Sequence, residues 1–347
     1  MWRNLRLKTV SPAKNYLAIM LCAVVGAGLA IGFAGLVNRD HFASIPNDRG
    51  PTWYRDWGGD TVIEIQDQDL FYHHIGSSID DLRHADIVMV GSSLVAFGLD
   101  PDVIKKEISG RFGLKFYNLS FMGMTGGDFS RLLMQKYSIR PKILIINADD
   151  GGGGGSFFSR GLTLNIGGVF SPIPSTEYGR LQGFKEVIRK NLHWRLERML
   201  KEAPGSEVLA GPDRSAHPSV YRDAQTGMYD MTEIPPFNLG DNPPVAIKMP
   251  QPRHASADVI NYAREYSSGS ADRIILTLVP NLYYDEQQAR EIAAAIGAEL
   301  VLSGSVNYSS WDGGGHLDHR GAVAFSHDLA DALQRSETFK ALIASRR

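Results

Sequence analysis

Short apolar runs alternate with amphipathic segments along the chain after residue 86. The runs predict five strands, at Ile87–Val90, Lys115–Phe121, Lys142–Ala148, Arg273–Val279 and Glu299–Gly304. Helical spacing of apolar positions predicts helices over residues 102–108, 128–137, 257–266, 285–296 and 321–333. Strands that are apolar at nearly every position and separated by helices are typical of a parallel sheet covered on both faces. We therefore expect an α/β domain over residues 86–347.

One stretch, residues 151–252, breaks this alternation. It opens with five consecutive glycines and contains the proline-rich pieces SPIPS, EIPPF, NPPV and MPQP, with one further predicted helix over residues 183–201. We interpret it as an insertion between the third and fourth strands, on the side of the sheet where ligands bind. A lid or binding loop and a passive surface elaboration are both consistent with this composition.

The N-terminal part carries a different pattern. From Tyr16 to Val37 the chain has 22 residues without a charge, which at ~1.5 Å rise per residue is enough to cross a hydrocarbon core of ~30 Å. The cations that precede it are Arg3, Arg6, Lys8 and Lys14. The positive-inside rule then predicts a cytoplasmic segment 1–15, a membrane anchor 16–37, and everything beyond it outside, in a bacterium the periplasm.

A cleaved signal peptide is the alternative for this segment. Its apolar core is typically about 7–15 residues long, and a clear A-x-A cleavage site is missing here, so an uncleaved anchor is favoured. The single cysteine, Cys22, lies inside the apolar stretch; the exported part therefore forms no disulfide of its own. The lead-in, residues 38–85, is rich in aromatic residues that could pack on the domain or lie near the bilayer: Trp53, Tyr54, Trp57, Phe71 and Tyr72.

The charge of the chain argues against one class of function. The net charge is −2, and no run of lysine or arginine occurs beyond the N-terminus. Proteins that bind nucleic acid usually have clusters of lysine and arginine, so we do not expect a nucleic-acid partner.

Two neighbouring serines, Ser92 and Ser93, follow the first predicted strand. Ligands of parallel sheets bind beyond the carboxyl ends of the strands, which is where these serines fall. A serine hydroxyl becomes a nucleophile only beside a base, and the base needs an acceptor that fixes its tautomer. Asp312 and His316, in the segment WDGGGHLDHRGA before the last predicted helix, could supply both.

Two other interpretations of that segment remain open. Its acidic and histidine side chains could simply cap the last helix; Asp318 stands where the chain enters it. Alternatively, His316, Asp318 and His319 could bind a metal ion. No other cluster at ligand spacing completes such a site, so we predict neither a metal nor a cofactor.

Four segments, taken in chain order, resemble the sequence blocks of SGNH (GDSL-like) hydrolases. They are G-S-S-L from Gly91, N-L-S-F-M-G-M-T from Asn118, N-A-D-D from Asn147, and D-G-G-G-H-L-D from Asp312. The resemblance implies a flavodoxin-like three-layer fold with Ser93 as nucleophile and Asp312 and His316 as the other members of a triad. It also implies that the backbone N–H of Gly123 faces the oxyanion.

Two departures from the family pattern bear on the site. Asp312 and His316 are one residue further apart than in the family's D-x-x-H. In the third block, usually G-x-N-D, Asp149 stands where an oxyanion-binding asparagine belongs, and its carboxylate would repel the developing charge. Either Asn147 substitutes from two residues earlier, or the oxyanion hole consists of the N–H groups of Ser93 and Gly123.

The resemblance also suggests a function. An anchored, exported member with these blocks is most similar to bacterial proteins that add or remove acyl groups, often acetyl, on cell-surface or secreted polysaccharides. We therefore expect an inner-membrane, periplasmic O-acyltransferase or esterase acting through an acyl-serine. A transferase would need a membrane partner that passes the acyl group across. The alternative is a non-catalytic carbohydrate-binding or scaffolding subunit of a polysaccharide export or modification complex.

Overall fold

The structure is a computed structural model, and it describes only part of the chain. The described residues are 16, 19–26, 28–29, 52–57, 69–72, 77–121, 126–148, 157–158, 220–232, 245–246, 252–282, 284–305 and 307–346. The helix predicted at residues 183–201 and most of the insertion lie outside them.

Beyond the helical residues near the N-terminus, the described secondary structure begins at Trp53. The strands are β1 (Trp53–Trp57), β2 (Ile87–Val90), β3 (Phe116–Asn118), β4 (Ile143–Asn147), β5 (Val220–Asp223), β6 (Tyr229–Asp230), β7 (Val245–Ala246), β8 (Arg273–Thr277), β9 (Glu299–Leu300) and β10 (Asn307–Tyr308). The helices are α1 (Asp69–Tyr72), α2 (Ser78–Arg83), α3 (Ser93–Gly98), α4 (Pro101–Ile104, continued by a π-helical turn Lys105–Gly110), α5 (Gly126–Lys136), α6 (Ala257–Ser267), α7 (Glu286–Ile296), α8 (His319–Arg335) and α9 (Glu337–Ala344).

The predicted parallel sheet is confirmed. Five strands pair in the order β3-β2-β4-β8-β9, and every neighbouring pair is parallel. The ladders of β3 and β9 end earlier than the apolar runs suggested. For β3 the paired register ends at Asn118 because β2 stops at Val90 and turns, although Leu119 and Phe121 still donate their N–H groups to the carbonyls of Met89 and Gly91. The layout is compatible with a flavodoxin-like fold.

Helices cover both faces of the sheet, because alternate strand residues point into two separate cores. Val88, Leu144 and Leu276 pack with side chains of α2, α5, α6 and α7. Met89, Ile145 and Ile275 pack with side chains of α3, α4, α8 and α9. The five predicted helices all occur. Helices α1, α2, α3 and α9 were not predicted, since the first three are only four to six residues long and α9 follows α8 after the single residue Ser336.

The lead-in and the insertion meet in a small second sheet. Strand β1 pairs antiparallel with β5, and β5 pairs antiparallel with β6. Two of the lead-in aromatics, Tyr54 and Phe71, are fully buried in the core of the domain. For these two, packing on the domain is therefore confirmed.

The tip of the β5–β6 hairpin covers the outer edge of β3. Asn118 donates its N–H to the carbonyl of Thr226 at 2.7 Å. Gly227 has a φ of 66°, and a Cβ there would lie 2.1 Å from the carbonyl oxygen of Asn118, so only glycine fits. The β5–β6 hairpin of the insertion thus lies beside the carboxyl end of β3.

Half of the predicted membrane anchor falls outside the described residues. Residues 16, 19–26 and 28–29 are helical, and their large apolar side chains are exposed. Among the residues that the structure describes, no helix is long and apolar enough to cross a bilayer. The anchor stays a prediction.

The N-terminus of α8 has the cap that the sequence suggests. Asp318 is 3% exposed and accepts a hydrogen bond from the N–H of Gly321 at 2.8 Å. Its other carboxylate oxygen accepts from the hydroxyl of Ser309. Asp318 therefore satisfies one of the N–H groups that a helix leaves unpaired in its first turn.

We expect Asp318→Ala to lower the free energy of unfolding by about 1–2 kcal/mol, the cost of losing a buried cap. Asp331→Ala, an exposed change in the C-terminal third of the same helix, is the control and should leave stability nearly unchanged. Chemical denaturation followed by circular dichroism measures both. Equal stabilities of the two variants would contradict the capping role.

Candidate active site

A glycine turn presents Ser93 at the carboxyl edge of the sheet. Strand β2 ends at Val90, and Ser92 caps α3 by accepting the N–H of Leu94 at 3.3 Å. At Gly91 a Cβ would lie 2.2 Å from Cγ2 of Val95, so any larger residue would push α3 away. Ser93 therefore begins a helix that packs directly against the strand end.

The loop before α8 brings the predicted partners to Ser93. The Oγ of Ser93 lies 2.8 Å from Nε2 of His316. On the other side of the ring, Nδ1 of His316 lies 2.6 Å from Oδ2 of Asp312. The backbone N–H of His316 also donates to Oδ1 of Asp312 at 2.7 Å. The three residues thus form one continuous chain of hydrogen bonds.

The glycines between Asp312 and His316 accommodate the extra residue of the D-x-x-x-H spacing. Gly313 and Gly314 have φ values of 81° and 109°, which other residues rarely adopt. At Gly315 a Cβ would lie only 2.6 Å from Oδ2 of Asp312. The backbone therefore curls around the carboxylate, and both its oxygens reach His316.

The electrostatics of the loop fix the tautomer of His316. Partial burial alone would raise the pKa of Asp312, but hydrogen bonds from the ring and backbone of His316 outweigh it and hold this pKa below its ordinary value. An ionised carboxylate only accepts hydrogen bonds, so Nδ1 of His316 must be the donor. In the neutral ring Nε2 then carries a lone pair, which faces the hydroxyl of Ser93.

An aromatic cluster supports the histidine. The ring of Phe97, one helical turn after Ser93, lies 5.1 Å from the ring of His316, and Trp311 stacks on Phe97 at 5.7 Å. Tyr229 and Met231, from the insertion, belong to the same cluster. The sequence pattern did not indicate that these residues lie beside the site. The only available signal was the i, i+4 spacing of Ser93 and Phe97, which brings two side chains onto one helix face.

The predicted oxyanion residues are described only in part. The N–H of Ser93 lies in the first turn of α3, where a helix offers no internal acceptor. Asn147 is fully buried, and its Oδ1 accepts the N–H of Val279 at 2.8 Å, which ties the ends of β4 and β8 together. Gly123 and Asp149 lie outside the described residues. The oxyanion roles of Gly123 and Asn147 stay predictions.

The three residues considered as a metal set point to different neighbours. His316 contacts Ser93 and Asp312, whereas the carboxylate of Asp318 caps α8. His319 lies with Nδ1 3.7 Å from Oδ2 of Asp100, the residue that caps α4. Within the described ranges, no group of three or more histidine, cysteine or acidic side chains is arranged to hold a metal ion.

Comparisons with known proteins found no relative of this chain. No protein-family model, no curated protein and no solved structure matches the chain. The resemblance to SGNH hydrolases stays an expectation from the four sequence motifs.

We expect Gly315→Ala to separate Asp312 from His316, because the added methyl group would collide with Oδ2 of Asp312. Gly315 does not have a positive φ, so the backbone itself tolerates alanine. The control is Gly304→Ala, also without a positive φ, where a Cβ meets nothing within 4 Å. The low-field proton resonance of a histidine N–H bound to a carboxylate should be present in the control and shifted or absent in Gly315→Ala. The same resonance in both variants would contradict this account of the loop.

Proposed function

We propose that this protein is a serine enzyme that transfers or hydrolyses acyl groups through an acyl-serine intermediate. The observation that carries the proposal is the continuous hydrogen-bonded chain from Ser93 through His316 to Asp312, at the carboxyl edge of a parallel sheet. Serine, imidazole and carboxylate in this order are the groups that nucleophilic acyl transfer requires.

The first half of the reaction acylates Ser93. Its Oγ attacks the carbonyl carbon of an ester while Nε2 of His316 removes the hydroxyl proton. The tetrahedral intermediate collapses as the C–O bond to the leaving alcohol breaks, and the imidazolium returns its proton to that alcohol. Asp312 stabilises the imidazolium in between and keeps Nε2 pointing at the reacting oxygens.

The second half returns the enzyme to its starting state. A hydroxyl of a sugar, or water, attacks the acyl carbon while His316 removes its proton, and the bond to Ser93 Oγ breaks as that oxygen is reprotonated. The intermediates of both halves carry an oxyanion. The N–H of Ser93 suits it as a donor, with Gly123 and Asn147 as the further donors that we predict.

For the substrate, we propose O-acyl groups, foremost O-acetyl, of a cell-surface or secreted polysaccharide. This assignment rests on the resemblance to anchored SGNH-type acyltransferases and esterases and on the apolar segment 16–37. An inner-membrane anchor with the α/β domain in the periplasm would hold the enzyme where polymers leave the membrane. A transferase would then depend on a membrane partner for its acyl groups, whereas an esterase would need only water.

A non-catalytic carbohydrate-binding or scaffolding subunit is the competing proposal. Two features favoured it: the longer D-x-x-x-H spacing and the altered third block. The longer spacing no longer favours the scaffolding role, because the glycine loop lets both carboxylate oxygens of Asp312 reach His316. The second remains, so a direct test of covalent chemistry is needed.

We expect the full-length chain, mixed with 4-nitrophenyl acetate and quenched in acid, to gain the mass of one acetyl group. Ser93→Ala should abolish this adduct. The control Ser92→Ala should keep it, although loss of the α3 cap costs about 1 kcal/mol of stability. Intact-protein mass spectrometry measures all three. An adduct that survives in Ser93→Ala and disappears in Ser92→Ala would reverse the assignment, and no adduct in any chain would favour the scaffolding role.

A further inference from the structure

A buried arginine from the insertion lies behind the nucleophile turn. Arg222, on β5, is fully buried. Its guanidinium lies among three aromatic rings, at 5.4 Å from the centre of Phe71, 5.4 Å from that of Phe121 and 4.7 Å from that of Tyr229. These rings belong to the lead-in, to the second sequence block and to the insertion. Arg222 thus joins three parts of the chain that are far apart in sequence.

The guanidinium holds backbone carbonyls at the end of β3. Its Nη2 donates to the carbonyl of Asn118 at 3.3 Å and to that of Ser120 at 3.1 Å, and its Nε donates to that of Gly227 at 3.2 Å. Removing a cation from water is expensive, and these carbonyl groups and ring faces help to offset that cost.

The segment that Arg222 holds is hydrogen-bonded to the nucleophile turn. Successive backbone groups of an extended chain point to opposite sides. On one side, Leu119 donates its N–H to the carbonyl of Met89 at 2.7 Å, and Phe121 donates to that of Gly91 at 3.3 Å. On the other side, the carbonyls of Asn118 and Ser120 face Arg222. Arg222 on one side, and the end of β2 with Gly91 on the other, therefore bind the same segment, residues 118–121.

We propose that Arg222 is a positioning residue for acyl transfer. By fixing residues 118–121 against β2 and Gly91, it sets the direction in which the turn presents Ser93 and its N–H. Gly123, a predicted oxyanion-hole residue, follows this segment two positions later in the sequence. The insertion then serves the site by holding the nucleophile turn in register. The catalytic part of this inference rests on the proposed function.

Arginine is suited to this role in a way that lysine is not. Its planar fork donates from several nitrogens in fixed directions, so one side chain reaches three carbonyls. A lysine would keep the charge but could not reproduce this geometry. Arg222→Lys and Arg222→Met therefore test geometry and charge separately.

The test combines hydrogen exchange with kinetics on the full-length chain in detergent. Exchange at the amides of Leu119 and Phe121 reports how stable their hydrogen bonds to Met89 and Gly91 are. Exchange at Ile145 and Ile146 in β4 reports global stability. Hydrolysis of 4-nitrophenyl acetate gives kcat and KM. The matched control is Arg264→Met, which removes an exposed arginine that donates to a backbone carbonyl of α7, the one at residue 295.

For Arg222→Met we expect faster exchange at Leu119 and Phe121 with unchanged exchange in β4, and kcat lower by about 10- to 100-fold at similar KM. Arg222→Lys should also show faster exchange at these two amides and a lower kcat. Arg264→Met should match the wild type in both measurements. Unchanged exchange at 119 and 121, or equally faster exchange in β4, would overturn the proposal. So would failure of both Arg222 variants to fold, which would make this residue a determinant of stability.

Hydrogen exchange and kinetics test the positioning role of Arg222 and the enzyme assignment separately. Exchange does not depend on turnover, so a wild-type chain without esterase activity would count against the enzyme assignment, and the exchange results would still decide whether Arg222 holds the turn. An active wild type with unaltered Arg222 variants would leave the enzyme assignment standing and remove the positioning role.

Discussion

The structure depends on how closely α3 packs against the strand ends of the central sheet. At Gly91 a Cβ would lie 2.2 Å from Val95 and 3.2 Å from Cβ of Asn147, and at Gly98 it would lie 2.8 Å from Cγ1 of Val279. Glycine at both ends of α3 lets the helix rest on β4 and on the chain after β8. A helix packed this closely has little freedom to move, because interiors are dense and resist small shifts. Ser93, its first residue, is therefore held in one position relative to the sheet.

Around this fixed serine, the remaining parts of the site come from distant segments. The glycine loop supplies His316 and Asp312 from the C-terminal side, and the insertion supplies Arg222 and Tyr229. Phe97 links the two, since its ring packs against His316 and shares a cluster with Tyr229. Such an arrangement satisfies the main demand of acyl transfer, which is that nucleophile, base and acid be oriented before the substrate arrives.

The sequence predicted the sheet and the triad candidates because their signals are local. Buried parallel strands are continuous apolar runs, and residues at strand ends and in glycine loops keep their order along the chain. The β1–β5–β6 sheet was not predicted, because its strands are short and β1 and β5 are more than 160 residues apart. Arg222 was missed for a related reason. A lone arginine in a segment rich in glycine and proline suggests a solvated surface, and only tertiary packing buries it beneath three rings.

In the proposed function, Asp312, His316 and Ser93 act as one catalytic unit despite the longer D-x-x-x-H spacing. The most direct measurement is the pre-steady-state rate of 4-nitrophenolate release in the wild type, in Asp312→Asn and in the control Asp318→Asn. We expect Asp312→Asn to acylate slower by orders of magnitude, on the scale of about 10⁴ known for the same change in a serine protease, and Asp318→Asn to acylate at nearly the wild-type rate. A wild-type rate in Asp312→Asn beside a loss in Asp318→Asn would contradict this proposal and show that another carboxylate serves His316.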